Sequence, residues 1–124
     1  MRKIRYFIPA ILLYVLIFFL SSQNGDVDLP GHVLDKIVHV IEFSLLGYFL
    51  SLGYFKTFAF PPAVKSVLVF FTGLPLGILD EWHQLFVPAR VSDVEDIMAD
   101  AAGIVCGILV YWYLGKRKRR TPEG

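Results

Sequence analysis

Residues 6–22 read YFIPAILLYVLIFFLSS, seventeen residues without a charge. Crossing about 30 Å of hydrocarbon takes about 20 residues at 1.5 Å each. Three further stretches have the same character. Residues 34–55 are apolar apart from Asp35, Lys36, His39 and Glu42. Residues 63–86 are apolar until Asp80, Glu81, His83 and Gln84. Residues 94–114 carry Glu95, Asp96 and Asp100 early and are apolar afterwards. Turn signals fall between them: Gln23-Asn24-Gly25, Leu29-Pro30-Gly31, Pro61-Pro62 and Val87-Pro88. The pattern predicts an all-α, four-helix transmembrane bundle with helices over 6–22, 34–55, 63–86 and 94–114.

Composition agrees. The chain has 124 residues, 56% of them hydrophobic and 19% charged, with a mean hydropathy of +0.59. A soluble domain has about 25% charged residues, so a soluble globular fold and a disordered chain are both excluded. The expected organisation is a basic N-terminus (1–5), one transmembrane domain (6–114) and a basic tail (115–124). Arg2, Lys3 and Arg5 before an apolar run also describe a signal peptide. The run lies at the upper length limit for one, and no A-x-A site follows, so it is read as a retained helix. The single cysteine, Cys106, excludes an internal disulfide and a Cys-based zinc site; its apolar neighbours predict buried packing.

Charge layout sets the expected orientation. Arg2, Lys3, Arg5, Lys56, Lys65 and the run Lys116, Arg117, Lys118, Arg119, Arg120 all fall on one side of a four-helix weave. Lys36 and Arg90 fall on the other, together with every Asp and Glu except Glu123. The positive-inside rule then places both termini in the cytoplasm and segments 23–42 and 80–100 outside. The tail GKRKRR reads as an anchor on anionic lipid, at about 1 kcal/mol per charge near the surface, and not as a nucleic-acid site. Tyr111, Trp112 and Tyr113 before it read as an interfacial aromatic belt.

The informative residues are the polar ones inside the spans. Asp35, His39 and Glu42 follow i, i+4, i+7 spacing and share a helix face. Asp80 and Gln84 are one turn apart, with Glu81 beside them. Asp96 and Asp100 are one turn apart, and their stripe continues through Gly103 and Gly107. Gly73 and Gly77 lead into the Asp80 stripe in the same way. Small residues at this spacing mark close helix–helix contact, so the polar faces are expected to meet inside the bundle. His39 and Glu42 lie about 8 and 12 Å into their helix at 1.5 Å per residue, and Asp80 and Asp100 lie about 8 and 9 Å in. A charge at the bilayer centre costs about 2.5–3.5 kcal/mol. The acids must therefore line a wet, outward-opening cavity, pair with one another, or bind a cation. So many carboxyl groups cannot all ionise together without compensation by Lys36, Arg90, a proton or a metal.

The residues leave several chemistries open. Asp35, His39, Glu42, Asp80, Glu81, Gln84, Arg90, Asp96 and Asp100 are the candidate ligand-binding set. His39, Glu42, Asp80, Glu81, Asp96 and Asp100 are the candidate metal ligands. His39 with carboxylates suits zinc or another first-row divalent ion, whereas oxygens alone suit magnesium or calcium. For catalysis the candidates are His39, Glu42, Asp80 and Glu81, with Glu81 or Glu42 as general base, His39 as proton shuttle and Arg90 as a phosphate fork. Asp35 also suits a helix N-cap, and Ser92-Asp93-Val94-Glu95 suits a capping box. The whole set also suits a salt-bridge network that only staples helices together.

Two separated motifs resemble those of the VanZ-like membrane proteins. The first is Asp35-Lys36-x-x-His39-x-x-Glu42-Phe43 followed by Leu46-Gly47. The second is Asp80-Glu81-x-x-Gln84-x-Phe86-x-Pro88-x-Arg90, then Asp96-x-x-x-Asp100-x-x-Gly103-x-x-x-Gly107. The chain departs from that pattern at Asp100, where the family usually has Asn. The resemblance implies a multi-pass protein of the bacterial cytoplasmic membrane, and its namesake is linked to low-level teicoplanin resistance. The implied partners are membrane lipid, a lipid-linked envelope precursor or the glycopeptide itself, with an oligomer left open. A lipid-recognising envelope protein, a hydrolase or transferase on a lipid-linked substrate, a proton- or ion-coupled transporter and a structural bundle all remain open at this level.

The orientation has a direct check. An alkaline phosphatase fused after Gly124 is expected to be inactive, and a fluorescent protein fused there to fluoresce. An active phosphatase would reverse the assignment of sides.

Overall fold

The computed structural model describes residues 2–23, 32–88 and 93–120. A single 3-10 turn, Ile4–Phe7, leads into α1 (Ile8–Ser21). It is followed by α2 (His32–Thr57), α3 (Pro62–Gln84) and α4 (Val94–Arg120). The described residues form helices and no strand. Four segments are long and apolar enough to cross a membrane: Ile4–Ser21, Leu34–Thr57, Pro62–Gln84 and Val94–Arg120.

Helix starts follow local chemistry. Pro9 and Pro62 occupy first-turn positions of α1 and α3, where a missing N–H leaves no intrahelical bond unmade. At the start of α4 the Asp93 carboxylate accepts the Glu95 backbone N–H at 3.1 Å, an N-cap bond. The expected capping box had Ser92 in that role; Ser92 lies outside the described residues, as does Arg90. Asp35 is not an N-cap: α2 begins at His32 and Asp35 sits within its first turn. Helix α4 runs beyond residue 114 and takes Lys116 to Arg120 into its last turns. Lys and Arg are good helix formers, and their charge opposes the partial negative charge of a helix C-terminus.

The chain weaves up and down. At one end Ser22 of α1 meets His83 of α3, with Oγ 2.8 Å from Nε2, and Lys36 of α2 meets Glu95 of α4. At the other end the Thr57 hydroxyl donates to the Lys3 carbonyl at 3.0 Å, and the Trp112 indole N–H donates to Ser66 Oγ at 3.0 Å. Both chain ends approach this second end. There Tyr48, Phe55, Lys56, Tyr111, Trp112 and Lys118 line part of a groove of about 660 Å³.

The burial pattern is inverted relative to a water-soluble bundle. Ile11, Leu12, Val15 and Phe19 of α1 and Ile37, Ile41 and Leu45 of α2 are exposed, which is where acyl chains would lie. An apolar core does form, from Ala10, Ile17, Phe43, Leu46, Leu50, Val69, Ile104 and Ile108. It occupies the middle of the bundle and ends against a layer of buried polar groups.

Glycine sets how closely the helices approach. A Cβ on Gly103 would stand 2.7 Å from the Val40 carbonyl oxygen, and one on Gly47 2.6 Å from that of Ile104. A Cβ on Gly107 would collide with the Ser44 carbonyl oxygen. Helices α2 and α4 thus touch backbone to backbone. On α3, a Cβ on Gly73 would press on Ile104, and one on Gly77 would stand 3.0 Å from Asp100 Oδ2. Both small-residue faces do face neighbouring helices. Cys106 corrects the expectation of burial, since it is exposed. The packing stripe of α4 uses Gly103, Ile104, Gly107 and Ile108, which leaves Val105 and Cys106 on the outer face. A thiol is apolar enough to sit there.

The contact predicts an asymmetry between two glycines of one helix. Gly107→Ala is expected to destabilise the protein by about 1–3 kcal/mol, the usual cost of overpacking. Gly115→Ala, whose Cβ meets nothing within 4 Å, is expected to be neutral or to stabilise by up to about 1 kcal/mol through helix propensity. Thermal unfolding in detergent compares them; equal melting temperatures would contradict the contact.

Candidate functional site

The polar layer sits at the end of the bundle away from both chain ends, and all four helices contribute to it. Helix α2 supplies Asp35 and His39, α3 supplies Asp80, Glu81 and Gln84, and α4 supplies Asp96 and Asp100. Helix α1 adds Ser21. His39, Asp80, Glu81, Gln84, Asp96, Asp100 and Ser21 are all buried. Heptad-like spacing on α2 and the close glycine contacts on α4 bring His39 and Asp100 face to face across that pair.

His39 is the hub. Its Nδ1 lies 2.7 Å from Asp100 Oδ1. A carboxylate only accepts, so Nδ1–H donates and a neutral ring keeps its lone pair on Nε2. That nitrogen faces two further carboxylates, Glu81 Oε1 at 3.8 Å and Asp35 Oδ2 at 4.0 Å. Both distances exceed hydrogen-bond reach. The ligand atoms of His39, Glu81 and Asp100 form one convergent group, and those of Asp35, His39 and Asp96 form a second, each with all atoms within 4.8 Å of one another.

Around the hub lie two smaller arrangements. The Gln84 amide N–H₂ donates to Ser21 Oγ at 2.9 Å and to Asp80 Oδ2 at 3.2 Å. This fastens α3 to α1 and holds Asp80 beside the hub. Lys36 Nζ pairs with Glu95 Oε2 at 3.0 Å and stands 3.8 Å from Asp96 Oδ1. The backbone N–H of Asp93 donates to Glu81 Oε2 at 3.4 Å, tying the start of α4 to α3. Three buried carboxylate oxygens have no hydrogen-bond partner among the described residues: Asp80 Oδ1, Asp96 Oδ1 and Asp100 Oδ2. An unmet buried acceptor costs about 1–3 kcal/mol, and more when charged, so the layer is short of donors or cations.

The structure brings most of the residues expected from the spacing into one layer. Asp35 is the exposed member, its side chain 44% accessible, and it stands where the layer meets the bundle surface. Glu42 is half-buried and does not belong to either convergent group. Arg90 lies outside the described residues. Ser21 was not expected: a hydroxyl at the end of an apolar run carries no periodic signal, and only the meeting of α1 with α3 gives it a partner. His83 lies outside both convergent groups. It stacks on Phe18 with ring centroids 4.1 Å apart and meets Ser22, which ties α3 to α1 outside the hub.

Comparison with known proteins adds one finding. A protein-family model described as VanZ/LLP1 matches residues 6–115. The match takes in α1 to α3, α4 as far as Gly115 and every member of the polar layer. No curated protein and no solved structure gives a match.

Proposed function

The chain belongs to the VanZ/LLP1 family and is a multi-pass membrane protein, and we propose that it is an envelope protein whose polar layer takes the headgroup of an envelope lipid or lipid-linked precursor. In this reading both termini are cytoplasmic, the layer lies under the outer leaflet of the bacterial cytoplasmic membrane, and binding lowers susceptibility to teicoplanin. One observation carries it: His39 converges with Glu81 and Asp100 and with Asp35 and Asp96, residues of three helices, at one end of a bundle whose hydrophobic core lies beyond them. Ionisable groups inside a membrane protein are expensive and usually functional. A network serving only to staple helices has no use for three buried oxygens without a hydrogen-bond partner among the described residues.

The chemistry limits the ligand. Carboxylates accept hydrogen bonds, so they suit the hydroxyl, amide and ammonium donors of a sugar- or peptide-bearing headgroup. Asp35 at the surface offers the first such contact and His39 the next one inward. Orientation of the Lys and Arg residues supports the assignment of sides.

A second reading has its own support in the Asp100–His39 pair. A carboxylate that fixes an imidazole by Nδ1 leaves Nε2 as an oriented base. Next to Glu81, that arrangement suits a hydrolase or transferase acting on a lipid-linked substrate.

The test compares a host lacking the gene with hosts expressing the wild type, His39→Asn or Glu81→Gln at equal membrane abundance. Wild type is expected to raise the inhibitory concentration of teicoplanin severalfold, and both variants to return it to that of the host without the gene. Unchanged sensitivity on expressing the wild type would overturn the resistance role. Full protection by both variants would leave the layer a structural staple.

A further inference from the structure

Five carboxyl groups, Asp35, Asp80, Glu81, Asp96 and Asp100, surround one imidazole, and the nearest ammonium, Lys36, is engaged at the surface with Glu95. Proximity of so many acids in a low-dielectric interior is unfavourable unless positive charge is added. The geometry shows where that charge fits.

We infer that the layer is a binding site for one divalent first-row cation of the zinc class, held by His39, Asp35 and Asp96, with Asp100 orienting the imidazole. Three observations on the page support this. First, the carboxylate oxygens nearest Nε2 stand at 3.8 and 4.0 Å. Those distances are too long for hydrogen bonds. Two ligands each about 2.0–2.1 Å from a tetrahedral metal stand about 3.4 Å apart, so a side-chain shift of roughly half an ångström brings Nε2 and Asp35 Oδ2 onto one ion. Second, Asp100 Oδ1 lies 2.7 Å from Nδ1 on the other side of the ring. A ligating histidine commonly donates its second N–H to a carboxylate in this way, which fixes the ring and the tautomer. Third, Asp96 belongs to the convergent group with Asp35 and His39, it is 3% exposed, and its Oδ1 has no hydrogen-bond partner among the described residues. A buried acceptor in that condition calls for a donor or a cation, and Lys36 Nζ stops 3.8 Å away.

Ligand chemistry selects the class. One imidazole with carboxylates suits zinc and its first-row neighbours better than calcium, which prefers six to eight oxygens. Asp35, the exposed member, gives the ion an entrance. The ion would also supply a positive centre for the phosphate oxygens of a phosphate-bearing headgroup. That last step rests on the headgroup reading above; the ion site itself does not.

The test uses the full chain purified in detergent, stripped with a chelator, and titrated with zinc alone by calorimetry. Metal content is checked by plasma mass spectrometry. Wild type is expected to take up one zinc per chain and to melt at a higher temperature with zinc than without. His39→Asn and Asp96→Asn are expected to lose zinc binding at least about tenfold while keeping their helical circular dichroism, and Asp100→Ala to weaken it by about 10–100-fold as an orienting partner. Wild-type protein that takes up no zinc overturns the site, whatever the variants do. So does a folded His39→Asn that binds zinc as tightly as wild type. The titration contains no headgroup, so its failure leaves the headgroup reading standing. Zinc binding alongside unchanged teicoplanin sensitivity does the reverse.

Discussion

Everything in this fold follows from the expense of an ionisable side chain in hydrocarbon. Each such group costs about 2.5–3.5 kcal/mol at the centre of a membrane-crossing helix, and this chain carries them on three of its four spans. No single helix can hide its own. Asp100 is hidden because His39 meets it from α2 at 2.7 Å, and Glu81 because α4 begins directly beside it. Facing apolar residues toward lipid and acids toward one another is the arrangement that meets the constraint for all of them at once.

That arrangement depends on residues with no side chain. Gly103 and Gly107 let α4 lie against the α2 backbone, and Gly77 leaves room for the Asp100 carboxylate. Lipid tails are as apolar as leucine, so burial of apolar surface gives helices in a membrane little reason to associate. Close backbone approach and the interhelical polar bonds take that role. The polar layer and the glycine contacts therefore depend on each other. Loosening α2 from α4 separates His39 from Asp100, and removing the pair leaves buried charges with nothing opposite.

Much of this was legible in the residues. Four spans followed from length and hydropathy alone. Spacing of His39, Asp80, Gln84, Asp96 and Asp100 disclosed which faces carry polarity, and Gly73, Gly77, Gly103 and Gly107 disclosed that those faces meet a neighbour. What stayed hidden depends on rotation and tilt between helices, which no one-dimensional period encodes. Ser21 gained a partner only through the placement of α1 on α3. Cys106 looks like a core residue in sequence and is an outer one, because in a membrane both faces of a helix are apolar and hydropathy no longer separates inside from outside. The assignment of one nitrogen of His39 to Asp100 and the other to Glu81 and Asp35 likewise required coordinates. Extension of α4 through Arg120 was obscured by the change from apolar to basic residues, which alters solvent but not helix propensity.

The central claim is that His39 and the carboxyl groups of Asp100 and Glu81 occupy one site drawn from three helices. Magic-angle-spinning NMR of the full chain in lipid bilayers, with histidine, aspartate and glutamate isotopically labelled, measures this directly. The account predicts through-space correlations from the His39 ring to the Asp100 and Glu81 carboxyl carbons, with the Nδ1 proton shifted as in a short hydrogen bond. A His39 ring correlated with lipid acyl chains and with neither carboxyl carbon would contradict it.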